Sequence, residues 1–172
     1  YSKPRVIAMA FLGFSAGLPF LLVFSTLTAW LRDEGISKST IGFFAWVGIT
    51  YSVKVFWAPV VDRLPVPFLT TRLGQRRGWI LAAQLGIATG LVAMAFVGTG
   101  NLVLLSICAL LVAFSSATQD IAIDAYRIEA VIDEYQGAMS ASYIFGYRIA
   151  LLAAGAGALY LAEYFTWPAA YI

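Results

Sequence analysis

The sequence predicts an all-α fold, a polytopic transmembrane helix bundle, and three observations carry that reading. Of 172 residues, 61% are hydrophobic and only 12% are charged, about half the charge of a soluble domain. A soluble fold cannot hide so much apolar surface, so lipid is the expected solvent. The apolar residues also fall into runs long enough to cross a hydrocarbon core of ~30 Å, which takes roughly 20 helical residues. Finally, the connections between runs are short, and their charge alternates from one to the next.

Five full spans are expected. Residues 6–30 carry no charge and are bracketed by Arg5 and Arg32. This run is too long for a signal-peptide core and reads as a true span. Pro19 removes a backbone donor and is expected to kink it. Residues 41–61 carry one charge, Lys54, and residues 78–97 carry none. Residues 102–123 are uncharged until Asp120, and residues 137–162 carry only Arg148. A sixth run starts at 164 and is cut off at Ile172. Small residues recur four apart at Gly13 and Gly17, Gly86 and Gly90, Ser142 and Gly146, and Ala153 and Gly157. That spacing lets helix backbones approach closely. Trp30 and Trp79 sit at span ends and are expected to anchor at the membrane interface.

The loops set the expected topology. Lys3, Arg5, Arg63, Arg72, Arg76, Arg77 and Arg127 fall on one side, and only Arg32 and Lys38 on the other. The excess of basic residues in cytoplasmic loops then places the amino terminus and the second and fourth loops in the cytoplasm.

Several function classes find no support. The single cysteine, Cys108, rules out a disulfide framework or cysteine metal cluster and is expected to pack as a small hydrophobe. Histidine is absent, so zinc sites and histidine acid–base chemistry are too. No phosphate loop or Ser–His pair is present. Asp120 and Asp124 lie four apart on one helix, unlike an acid pair drawn from separate segments. No enzyme activity and no cofactor are expected. A net charge of +2 is too small to suggest nucleic acid.

The second loop carries the most specific local pattern. Ala58-Pro59-Val60-Val61-Asp62-Arg63 is followed, after residues 64–72, by Leu73-Gly74-Gln75-Arg76-Arg77. This resembles the signature between spans two and three of the major facilitator superfamily. Ala58 stands where glycine is usual, and an insertion separates the two parts. Carried over, Asp62, Arg63, Gly74, Arg76 and Arg77 form a conformational latch, and Asp62 faces a helix amino terminus of the other half, where the helix dipole favours a carboxylate. Arg127 is expected to join them.

Further blocks narrow the resemblance. They are Leu12-Gly13-Phe14-Ser15-Ala16-Gly17-Leu18-Pro19, Ile41-Gly42-Phe43-Phe44, Lys54-Val55-Phe56-Trp57-Ala58-Pro59, Ser116-Ala117-Thr118-Gln119-Asp120 continuing to Tyr126, and Gly146-Tyr147-Arg148. In this order they resemble AmpG-type muropeptide permeases across nearly the whole chain. The resemblance implies the amino-terminal half of a proton-driven importer in a bacterial inner membrane. Such importers carry anhydro-muropeptides from periplasm to cytoplasm for cell-wall recycling, which in some bacteria induces β-lactamase. Complete transporters of this kind are about twice as long, so a carboxy-terminal half is the expected partner, alongside lipid, protons and the solute. The acetyl-coenzyme A transporter family shares much of the pattern, so another anionic solute is the alternative. A channel is a further one.

Charges inside a bilayer cost roughly 2.5–3.5 kcal/mol each on insertion scales and point to function. Counted back from Asp62 and Arg127 at ~1.5 Å per residue, Lys54 and Asp120 lie at similar depth. Arg148 lies somewhat deeper. Lys54 and Arg148, with Gln119 and Tyr51, are the candidate substrate-binding residues, and Asp120 and Asp124 the candidate proton carriers. In the competing reading these charges only neutralise one another between helices. Trp46, Trp57, Tyr51 and Tyr147 can stack on sugar rings, though contact with lipid or helices is the plainer account.

Overall fold

The computed structural model describes residues 4–130 and 133–172. Lys3, counted above, lies outside them. Among the described residues all regular structure is helical. Five helices are long and apolar enough to cross a membrane. They are α1 (Pro4–Asp33) and α2 (Lys38–Phe56), then, after short α3 (Ala58–Arg63) and α4 (Leu69–Leu73), α5 (Gln75–Gly100), α6 (Leu102–Ala130) and α7 (Glu134–Tyr164). A 3-10 turn, Pro168–Tyr171, follows.

Local chemistry explains the boundaries. Ser37 caps α2 by accepting the Thr40 amide at 3.3 Å, and Asn101 caps α6 by accepting the Leu104 amide at 3.0 Å. The run expected as one span over 41–61 is divided. Lys54–Phe56 tighten into a 3-10 turn and the chain turns at Trp57. Pro59 then falls in the first turn of α3, where its missing N–H costs nothing. Pro19 does not break α1. The helix runs through it, and the departure from α geometry is a π turn just beyond, at Leu22–Thr26. A second π turn, Ala153–Gly157, interrupts α7. Gly74, at a φ of 83°, reverses the chain between α4 and α5, a conformation that favours glycine.

Two helix pairs organise the bundle: α1 with α7, and α5 with α6. The small residues are where they touch. A side chain at Gly13 would meet the Tyr143 carbonyl, and one at Gly146 would meet the carbonyl of Ala10. At Gly86 and Gly90 it would meet Ser115 and Val112 of α6. Gly157 makes no such approach to another helix. Two apolar clusters result. One gathers Leu22, Trp30, Leu31, Met94, Leu105 and Val112, and the other Val6, Met9, Val61, Ile80, Ile123 and Met139. Along α6, buried Ser115, Ser116, Thr118 and Gln119 lie between the two. Large apolar side chains elsewhere stay exposed, Phe11, Phe96 and Val103 among them. Lipid, not water, suits such a surface.

One aromatic expectation changes. Trp30 is not an interface anchor. It is 1% exposed, with Trp167 stacked on it at 6.3 Å and Tyr171 at 5.1 Å. The chain after α7 folds back over the end of α1 and covers it. Trp79 uses its indole N–H at 2.8 Å on the Leu64 carbonyl, fastening the second loop to α5. Cys108 packs in the core as expected.

Candidate functional site

Lys54 ends α2 in its 3-10 turn, and Asp120 lies on the face of α6 that meets it. Lys54 Nζ stands 3.5 Å from Asp120 Oδ2, and the two side chains are 31% and 21% exposed. Similar estimated depth on separate helices has become an ion pair. Beside it, Trp57 donates to Thr118 Oγ1 at 3.1 Å and packs on Phe114 at 4.9 Å. These contacts hold the end of α2 against α6.

The pair is incompletely satisfied. Asp120 Oδ1 is buried without a hydrogen-bond partner among the described residues, and so are Ser116 Oγ, Gln119 Oε1 and the Tyr51 hydroxyl. Tyr51 and Ser116 are close, but their hydroxyls do not meet in hydrogen-bonding geometry. On α6, Ser116 lies one turn from both Gln119 and Asp120, which point to neighbouring faces. Tyr51, Tyr143 and Tyr147 all lie within electrostatic reach of Asp120. Buried polar groups are normally paired, and these four oxygens depart from that rule.

Gln119 is fully buried, and its amide donates to Ser15 Oγ at 2.7 Å. Gln84 donates to the same oxygen at 3.2 Å, while Ser15 donates to the Leu12 carbonyl at 3.0 Å. Ser15 therefore joins α1, α5 and α6, its partner on α6 being the residue before Asp120. Its role as a hub was not foreseen, although it sits within one of the recognised blocks. Only a lone serine between glycines signalled it.

Arg148 is not brought into this cluster. On α7, Gly146, Tyr147 and Ala150 turn toward α1, and Arg148 points away from them, exposed among Ile144, Phe145, Ile149 and Leu152. It has no ion pair among the described residues.

A second polar cluster closes one end of the bundle. Arg76 Nη1 lies 2.6 Å from Asp62 Oδ1, and Arg76 Nη2 lies 2.7 Å from Glu129 Oε1. Gln75 donates at 2.5 Å to the Asp62 carbonyl. Arg5 donates to the carbonyl of Ala130, so cations surround the carboxy-terminal end of α6, where the helix dipole favours them. The Asp62 carboxylate is thus engaged within this chain. Arg127 was expected here but does not reach it. Its Nη2 lies 3.4 Å from Asp124 Oδ1, and its Nη1 donates to Ser140 at 3.4 Å. Glu129 takes the expected position, because two residues along a helix diverge by about 200°. Arg77 lies over the Tyr126 ring at 5.9 Å. Arg63 is exposed and without an ion pair among the described residues.

Comparison with known proteins decides the family. The family model described as "Acetyl-coenzyme A transporter 1" matches residues 6–104, more than half the chain. The chain belongs to this transporter family. It is also 40% identical over 164 residues to the "Anhydromuropeptide permease" of Escherichia coli K12, covering 95% of this chain and 33% of that protein. It is 42% identical over 160 residues to the Rickettsia conorii protein named "Putative transporter AmpG 4", covering 92% of this chain and 38% of that one. A Haemophilus influenzae protein, printed as "Uncharacterized protein", is 37% identical over 169 residues. The resemblance to AmpG-type permeases therefore holds across most of the chain. The chain spans well under half the length of these relatives. Their names and the apolar helices make this a multi-pass membrane protein of transporter type.

Proposed function

We propose that this chain is the amino-terminal half of a proton-coupled importer of anhydro-muropeptides. It would act in a bacterial inner membrane with its amino terminus in the cytoplasm and a carboxy-terminal half as partner. The observation that carries the reading is the Lys54–Asp120 pair, placed inside the span region with unpaired buried oxygens around it. The relative named as an anhydromuropeptide permease, aligned over 95% of this chain, supports the solute class.

Lys54 is the cation for a solute carboxylate beside Asp120, with Tyr51 and Gln119 as polar contacts, and Arg148, which faces away from that cluster, would meet a separate part of the solute. Lys54 compensates the Asp120 charge. When solute draws the ammonium away, the carboxylate is left as an uncompensated charge in low dielectric, which is costly. Taking a proton from the periplasmic side removes that cost. Return of Lys54 releases the proton to the cytoplasm, so one proton moves with the solute. Asp124 sits nearer the latch end, and Asp62, Arg63, Gly74, Arg76, Arg77 and Arg127 tune conformational exchange there. Supply of inducing muropeptide to a β-lactamase response would follow from the same import.

The family match favours a second reading, carriage of acetyl-coenzyme A. Competition uptake in vesicles separates the two. Labelled anhydro-muropeptide should accumulate with an inward proton gradient and resist competition by acetyl-coenzyme A. Displacement by the thioester alone, with no muropeptide uptake, overturns the proposal. Gradient-independent, non-saturable flux would assign a channel instead. The present chain by itself should not transport, because sites of this kind lie between two repeats. Uptake by residues 1–172 alone would contradict that.

A further inference from the structure

We propose that a cavity at the end of α1 remote from its amino terminus is a second recognition subsite, one for the sugar end of an elongated solute. The cavity measures about 640 Å³ and is lined by Ser25, Thr28, Ala29, Arg32, Asp33 and Trp167. That volume lies within the usual range for small-molecule sites.

Its chemistry is distinct from the Lys54–Asp120 cluster. Trp167 donates its indole N–H to Asp33 Oδ2 at 2.8 Å and stacks on Trp30 across an 11° interplanar angle. The ring is thereby held at a fixed angle beside the cavity. Ser25 and Thr28 offer hydroxyls that both donate and accept. Asp33 keeps a second carboxylate oxygen, and Arg32 is an exposed cation without an ion pair among the described residues. An aromatic plane beside hydroxyls, a carboxylate and a guanidinium suits a ring bearing several hydroxyl and amide groups. A simple inorganic anion uses few of these contacts.

One face of α1 leads from the cavity toward the first site. Phe20 and Phe24 pack on Tyr51 at 5.7 and 5.8 Å, and Tyr51 lies beside Ser116 and Asp120. Thr28 and Arg32 follow Phe24 at four-residue steps and share its side of α1. Phe24 to Arg32 is about 12 Å of helix rise. One extended molecule can therefore place carboxylates near Lys54 and its sugar rings near Trp167. This assignment rests on the muropeptide reading and specifies how that solute is oriented.

Equilibrium binding tests it in the full-length transporter, in which this chain continues into its carboxy-terminal half, reconstituted in phosphatidylcholine nanodiscs. The probes are a radiolabelled anhydro-disaccharide tripeptide and the sugar-free tripeptide. Arg32→Gln and Thr28→Val should each weaken disaccharide-tripeptide binding by about tenfold and leave the sugar-free tripeptide unchanged, with Arg32→Lys partly restoring affinity. Unchanged binding of the disaccharide tripeptide overturns the subsite while the Lys54–Asp120 reading stands. Equal losses for both probes overturn it as well, since the sugar would not be the group sensed. A defect seen only with phosphatidylglycerol present assigns the cavity to lipid headgroups and overturns the proposal. Wild-type protein that binds acetyl-coenzyme A but neither probe overturns this inference and the muropeptide reading together.

Discussion

Asp62 and Arg76 meet at 2.6 Å across the α3–α5 connection, although they stand at opposite ends of an inserted loop. The same guanidinium holds Glu129 at the end of α6. One arginine thus ties three helices at one end of the bundle. Asp62→Asn should slow conformational exchange more than it weakens solute binding, since the residue pairs with Arg76 and makes no contact in the Lys54–Asp120 pair. A shift of about 0.3–2 kcal/mol between states is expected for one such helix-end interaction. Glu129→Gln should resemble it. Exchange and equilibrium binding, measured side by side, check this, and lost binding with normal exchange would rule out a latch.

Asp120→Asn mimics the protonated acid. It should abolish accumulation against a gradient while solute counterflow persists. Asp124→Asn should be milder, because that carboxylate is paired with Arg127 outside the Lys54 cluster. Gradient-driven uptake and counterflow in the same vesicles distinguish the two, and uncoupling by Asp124→Asn alone would reassign the proton.

Gly146→Ala should destabilise the chain by about 1–3 kcal/mol, because the added methyl meets the Ala10 backbone at a tight helix crossing. Gly42→Ala, with nothing within 4 Å of the new methyl, is the matched control and should be near neutral. Thermal unfolding in detergent reads both. Equal midpoints would show that the α1–α7 crossing relaxes freely.

A cysteine placed at Arg72, in a Cys108→Ser background, should react with a membrane-impermeant reagent only from the cytoplasmic side. One placed at Thr99 should react only from the periplasmic side. The opposite pattern would invert the orientation drawn from the loop charges.

The bundle was legible because long apolar runs and small-residue spacing act locally. Gly13, Gly146 and Gly86 could be read as contact points from spacing alone. Lys54 and Asp120 were paired in advance only by depth, which depends on helix rise. Which side of a helix a residue faces was harder to read. Arg127 and Glu129 differ by two positions, and nothing in the sequence said which would reach Arg76. Trp30 looked like an anchor because its covering segment, around Trp167 and Tyr171, lies far along the chain. Ser15 became a hub only once three helices had converged.

The two π turns lie against each other. Thr26 of the turn in α1 donates to the Ala154 carbonyl in the turn of α7 at 2.6 Å. A wide turn weakens the regular hydrogen-bond ladder and often occurs at functional positions. Here the two weak points are at matching heights and share a bond. The α1–α7 pair therefore departs from regular α-helix geometry at one shared level. If α1 bends at Thr26, the carbonyl it holds carries α7 along.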